Sequence, residues 1–186
     1  SLNNFIGIPN TLYNKNNEQI NITVPFSGNV HWANKHVISK IYYNDDTVEL
    51  LRKYYYSSPK PDIKNVDIAI HIRRGDVGIG FGDRYTSNSD YNKIIKFLNM
   101  KYPNYKIVIF SEGKIDDFEE INGNNISFRL NECIEETFHS FVCAKILVVA
   151  KSTFSYSAAI LNPNEIYYIN FHHGPLEHWK LISDFI

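Results

Sequence analysis

The chain has 186 residues, enough for one domain and a remnant of a second. Its 19 basic and 20 acidic side chains leave a formal charge of −1, which excludes the broad positive field of a nucleic-acid binder or of a protein held on an anionic membrane. Hydrophobic residues make up 44% and aromatic residues 15%, so a packed core is expected rather than disorder, and no apolar run approaches the roughly 20 residues of a spanning helix.

The first 60 residues read as irregular, with the polar, aperiodic stretch NTLYNKNNEQIN (10–21) as loop. A helix is expected from Asp45 or Asp46 as its cap, with Val48, Leu51, Tyr54 and Tyr55 on one face. It must stop by Ser58, because Pro59 and Pro61 cannot continue it, and SSPKPD is the expected linker. The chain thus divides into 1–60, a possible acceptor-domain remnant, and 61–186.

After the linker, strand and helix signals alternate. VDIAIHI (66–72) is a β-branched run suited to a buried strand. Ser89 is the expected cap of a helix carrying Tyr91, Ile94, Ile95, Leu98 and Tyr102 before Pro103. A second strand follows at 107–110, then a short amphipathic piece at 115–121 and a third strand at 126–130. A helix at 135–144, a strand at 146–150, a short helix at 155–161 and a fifth strand at 166–169 complete the series. Near-continuous apolar strands separated by crossover helices predict an α/β fold, a Rossmann-like, mostly parallel sheet with helices on both faces. Right-handed crossovers then bring the strand ends and the loops after them to one rim, where ligands bind.

Cys133 and Cys143 have neither disulfide-framework nor zinc spacing and are expected to be small buried hydrophobes. The chain opens on Ser1 and its one methionine is Met100, so it is expected to be a processed or excised piece. The few cysteines and the lack of an export signal point to the cytoplasm.

Two stretches carry chemistry. His71-Ile72-Arg73-Arg74-Gly75-Asp76 follows the first strand, and paired guanidinium groups there match phosphate oxygens in forked geometry. Gly75 permits a tight turn and Asp76 can lock an arginine, although the same residues also suit a surface ion-pair cluster. Ser152-Thr153-Phe154-Ser155-Tyr156 follows the fourth strand and opens a helix, where hydroxyls and backbone N–H groups make either an anion cradle or an ordinary cap. Two such devices at one rim can hold the two phosphates of a diphosphate.

HIRRGD resembles the HxRRxD motif shared by the α1,2- and α1,6-fucosyltransferases and the protein O-fucosyltransferases. Glu136-Thr137-Phe138-His139 through Lys151-Ser152-Thr153-Phe154-Ser155-Tyr156-Ser157-Ala158-Ala159 resembles the later donor-site motif of the α1,2 type, in the same order and at a similar separation. The resemblance covers about residues 66–175. It implies the nucleotide-sugar half of a two-Rossmann-domain (GT-B) glycosyltransferase, with GDP-fucose as donor, inversion at the anomeric carbon and no metal or other cofactor. It also implies that Arg73 contacts the diphosphate, that Arg74 and Asp76 shape the pocket, that His71 lies near the nucleoside, and that Ser152, Thr153, Phe154 and Ser155 hold phosphate from the opposite wall. Relatives often place an acidic residue for guanine where this chain has Thr137, with Glu136 beside it. The partners implied are the nucleotide sugar, a glycan or other hydroxyl acceptor, and further domains of a longer polypeptide.

Asp83, Arg84 and Glu112 are expected near the sugar, with Asp76 or Asp83 as general base. His139 is expected in the core, and His172-His173 at a pocket edge without a metal. Asn21-Ile22-Thr23 and Asn125-Ile126-Ser127 fit the glycosylation sequon, and Tyr54-Tyr55-Tyr56 suits helix packing or a sugar platform. Two other readings stay open: the same fold with another nucleotide sugar, and a nucleotide- or carbohydrate-binding domain without turnover.

Overall fold

A computed structural model describes residues 43–186, together with Phe5, Leu12–Tyr13 and Gln19–Ile20. The chain divides into two compact units, Ser1–Lys60 with His172–Gly174, and Pro61–Phe171 with Pro175–Ile186.

In the first unit, β1 (Leu12–Tyr13) pairs antiparallel with β2 (Gln19–Ile20), inside the stretch expected to be loop. Helix α1 (Asp45–Tyr56) buries Val48 and Tyr55, whereas Leu51 and Tyr54 are half-buried. Its cap is Asn44, not Asp45 or Asp46, because the Asn44 side chain accepts from Thr47 N–H at 2.9 Å. Both aspartates then lie in the first turn, where the helix dipole favours negative charge. Tyr55 packs edge-on to Phe5 and Tyr56, so the tyrosine run forms helix packing. The sequon at Asn21 lies outside the described residues.

The second unit is built on a six-stranded sheet, parallel throughout, formed by β3 (Ile68–His71), β4 (Ile107–Ser111), β5 (Ile126–Leu130), β6 (Ile146–Val149), β7 (Glu165–Tyr168) and β8 (Lys180–Leu181). The strand order is β5-β4-β3-β6-β7-β8. The chain winds outward from β3 through β4 to β5, then returns to the other side of β3 and continues outward. The order therefore reverses between β3 and β6, which is where open α/β sheets hold ligands.

Strand alternation assigns the two faces. Ile68, Ile70 and Ile72 join Ile107, Ile109, Ile146 and Val148 in a core shared with Tyr91, Ile94, Ile95 and Leu98 of α2 (Asn88–Lys101). Burying each of those four helical side chains contributes about 1.5–3 kcal/mol. The alternate residues turn to the other face, where α3 (Ile134–Cys143) and α4 (Thr153–Leu161) lie: Phe110 meets Phe141, and Tyr168 meets Tyr156. The expected sheet with helices on both faces is what the chain forms.

Details differ at element ends. Ser87, not Ser89, caps α2, because its hydroxyl accepts from Asp90 N–H and donates to the Asp90 carboxylate. The amphipathic piece at 115–121 is a 3₁₀ turn over Ile115–Phe118, and another 3₁₀ segment spans Ile79–Arg84. Strand β8 was not expected: it has two residues and exists by pairing with Tyr167 and Tyr168. Cys133 is exposed at the start of α3 rather than buried, and Cys143 is partly exposed. Asn125 donates from Nδ2 to Asn99 Oδ1 and to the Tyr105 carbonyl, so the second sequon's amide is already engaged in the fold.

Candidate functional site: the crevice between β3 and β6

Both motif stretches leave the sheet at its order reversal. Ile72 N–H still bonds the Phe110 carbonyl, and Ser111 Oγ donates to the Ile72 carbonyl at 2.6 Å, so the chain is held to β4 until Arg73. The turn then closes tightly, with Asp76 N–H donating to the Arg74 carbonyl across Gly75 at φ +78°. The end of β6 mirrors it, with Ser152 N–H donating to the Ala150 carbonyl at 2.7 Å. These are three-residue turns that let a strand end abruptly at the rim.

Alternation sends the two arginines apart. Arg73 follows His71 on the α3–α4 face and reaches across the crevice. Its Nη1 donates to the Lys151 carbonyl at 3.0 Å, while Nε and Nη2 grip Asp76 at 3.1 and 2.6 Å. That uses three of the five N–H groups of a guanidinium, leaving one each on Nη1 and Nη2. Arg73 holds the Asp76 carboxyl below the usual carboxylate range, although Asp76 stays 64% exposed. A carboxylate with both oxygens so engaged is a weak base.

Arg74 turns to the α2 side. It donates to the Arg73 carbonyl (2.9 Å), the Thr86 carbonyl (3.0 Å) and Asn88 Oδ1 (2.8 Å), and its guanidinium lies 4.5 Å from the Tyr85 ring centre. Asn88 in turn donates to the Asp117 carbonyl. Arg74 therefore ties the rim loops together and fixes the backbone that carries Arg73.

The opposite wall is the start of α4. Ser152 is buried at the cap position, yet its side chain makes no capping bond. The Ser152 side chain therefore leaves the Phe154 and Ser155 N–H groups uncapped, and a helix start of this kind suits an anion. Ser155 is fully buried with its hydroxyl 3.5 Å from the Ser152 carbonyl. Thr153 and Phe154 are half-buried. Phe154 packs against His71, Phe138 and Phe141, which makes it part of an aromatic floor rather than a polar ligand.

His71 lies on that floor, with its ring 5.3 Å from Phe141. Its Nδ1 is buried with no hydrogen-bond partner. Burial, assisted by the Arg73 charge, pushes its pKa down to about 3, so the ring is neutral at physiological pH. Glu136 and Thr137 lie in the first turn of α3, on the rim beyond β5. Glu136 is half-exposed and 3.8 Å from Arg129, which pairs more closely with Glu132. His139 is buried, as expected. Asp83 and Arg84 lie exposed on the 3₁₀ segment after the HIRRGD turn, and the His172 and His173 rings lie against each other at a tilt within the first unit.

Two further residues border the crevice: Lys151, quoted in the later motif without a role, and Glu112, expected near the sugar. Lys151 stands between β6 and Ser152, with its carbonyl held by Arg73 and its Nζ 3.4 Å from the Tyr85 carbonyl. A lysine beside Ser152 at a strand end was a readable signal. Glu112 lies so close over Gly75 that a Cβ there would fall 1.8 Å from its Oε2, and only folding brings those two together. A cavity of about 310 Å³ between the 3₁₀ turn and β5, lined by Phe118, Ile121, Ile126 and Phe128 among others, contains none of the expected site residues. Among the described residues no three His, Cys, Asp or Glu gather as a metal site, and no helix is long and apolar enough to cross a membrane.

No family model and no curated protein matches the chain, so the fucosyltransferase resemblance rests on the motif residues. Among solved structures, the chain is similar to a beta Kdo 2,7 transferase, KpsC of Thermosulfurimonas dismutans, at 19% identity and a TM-score of 0.39. The match covers 73% of this chain and 47% of that one, so the chain spans about half the length of that structure. A likeness of this extent carries no activity across to this chain.

Proposed function

We propose that the crevice between β3 and β6 binds the diphosphate of a nucleotide sugar, and that the chain is the donor-binding half of a glycosyltransferase. One observation carries the reading. Arg73 of the first motif hydrogen-bonds the Lys151 carbonyl of the second across the order reversal of the sheet, with two N–H groups left beside the uncapped start of α4. In the transfer, the C1–O bond of the sugar breaks and its electron pair stays with the diphosphate oxygen. The acceptor hydroxyl forms the new bond to C1 from the opposite side and releases its proton to solvent or to a carboxylate of the rim. The positive groups at the crevice stabilise the charge gathering on the leaving diphosphate. A GDP-sugar, with fucose as the sugar, is the finer form of the proposal, and it rests on HIRRGD and the later motif.

Titration calorimetry with GDP, UDP and ADP tests it. One of them is expected to bind, and Arg73→Ala is expected to weaken that binding tenfold or more, as for loss of a charge-assisted hydrogen bond. A folded sample that binds no nucleoside diphosphate sinks the proposal. The reading without turnover is favoured by the Asp76 carboxylate, both of whose oxygens accept from Arg73. Release of free sugar from a bound nucleotide sugar separates the two, since a binding domain releases none.

A further inference from the structure

We propose that Lys151 is a further cation of the diphosphate site, its ammonium passing from the Tyr85 carbonyl to a phosphoryl oxygen of the bound nucleotide; this rests on the donor reading above. The backbone of Lys151 is fixed inside the crevice, because its carbonyl accepts from Arg73 Nη1. Its side chain turns back over the rim and is half-buried. There the ammonium meets one neutral acceptor, the Tyr85 carbonyl, at 3.4 Å, the outer limit of a hydrogen bond. Four other lysines of this unit, Lys93, Lys101, Lys145 and Lys180, each pair with a carboxylate.

The surroundings make that arrangement one that an anion completes. Tyr85 receives Lys151 on its carbonyl and Arg74 on its ring, and Arg74 donates to the carbonyl of Arg73. Two cations, Lys151 and Arg74, therefore meet at Tyr85, and neither is paired with a carboxylate among the described residues, while the Arg73 guanidinium holds the Lys151 carbonyl. The carboxylates at the neighbouring turn are Asp76, both of whose oxygens Arg73 occupies, and Glu112, which lies over Gly75. Like charges gathered at a partly buried rim repel, and an incoming diphosphate relieves that repulsion. An ammonium on a flexible stem, with three rotatable donors, can move to a phosphoryl oxygen without disturbing the forked Arg73–Asp76 pair.

Calorimetry of the full chain with GDP and with GMP, on wild type, Lys151→Gln and Lys151→Arg, tests the assignment, with thermal denaturation as the check on folding. Lys151→Gln is expected to weaken GDP about tenfold or more and GMP less than about threefold, because one charge-assisted contact to the second phosphate is lost. Lys151→Arg is expected to keep GDP binding within about fivefold of wild type, since it retains the charge. Equal GDP binding by wild type and Lys151→Gln overturns the proposal and leaves the donor reading standing. So does an equal loss for GDP and GMP, or a Lys151→Arg variant no better than Lys151→Gln. A wild-type chain that binds neither nucleotide overturns both readings.

Discussion

Replacing Gly75 by alanine puts two separate physical demands on the turn after β3. Gly75 sits at φ +78°, where an L-residue costs about 1–2 kcal/mol. The new Cβ would also fall 1.8 Å from Glu112 Oε2 and 3.0 Å from its Cδ, so the Glu112 side chain must swing away. Glu112 is exposed and ends in a flexible carboxylate, so this second cost is the smaller one, on the order of 0.5–1 kcal/mol for an off-rotamer side chain. The sum, about 2 kcal/mol, lowers the melting temperature by roughly 4–8 °C in a chain of this size. Circular-dichroism melts and urea titrations of Gly75→Ala, Glu112→Ala and the double variant separate the contributions as a double-mutant cycle. The backbone cost must persist in the Glu112→Ala background, while the steric cost must vanish there. A Gly75→Ala variant as stable as wild type refutes the turn geometry, and a penalty unchanged by Glu112→Ala refutes the close approach.

Burial of His71, with the Arg73 charge beside it, lowers its pKa to about 3, so the unfolded chain takes up its proton first as pH falls. Stability is expected to drop below about pH 6.5 by up to about 1.4 kcal/mol per pH unit from this group, and His71→Gln should flatten that slope in pH-dependent urea titrations. At the opposite end of the sheet, burial raises Glu165, but hydrogen bonds from Lys180, Tyr102 and Tyr167 outweigh it and hold the carboxyl at about 2. Its stabilisation is fully present above the ordinary carboxylate pKa of about 4.3 and is lost as pH falls towards 2. Glu165→Gln should cost about 2 kcal/mol at neutral pH and little at pH 2 in the same titrations. On the proposed donor reading Arg73, Lys151 and the α4 N-terminus supply the positive charge, so EDTA should leave nucleotide affinity unchanged within about twofold, and a tenfold loss in calorimetry would contradict that reading.

The sheet was legible because parallel strands buried on both faces are written as apolar runs, and ILVV at β6 is apolar at every position. β8 carried no such signal. Lys180 and Leu181 are a strand because Tyr167 and Tyr168 offer them an edge, which is a tertiary fact. The caps failed for a different reason: Ser87, Asn88, Ser89 and Asp90 all favour a helix start, and the reciprocal Ser87–Asp90 pair decided among them. At the candidate site, motif spacing led to one rim, since both stretches follow strands flanking the order reversal. The division of labour between Arg73 and Arg74 came from the family resemblance and not from spacing. In the structure it depends on pleat parity and on Tyr85, Thr86 and Asn88, which lie 11 to 14 residues beyond Arg74 and look like ordinary loop.

The arginine doublet is chemically symmetric and spatially opposed. Deleting one residue within β3 would bring the same two letters to the rim with their assignments exchanged, the strut becoming the hand and the hand the strut. A Lys at the first position would keep charge in the crevice but give up the fork that spans to β6, whereas a Lys at the second would leave the crevice group untouched and loosen what it stands on.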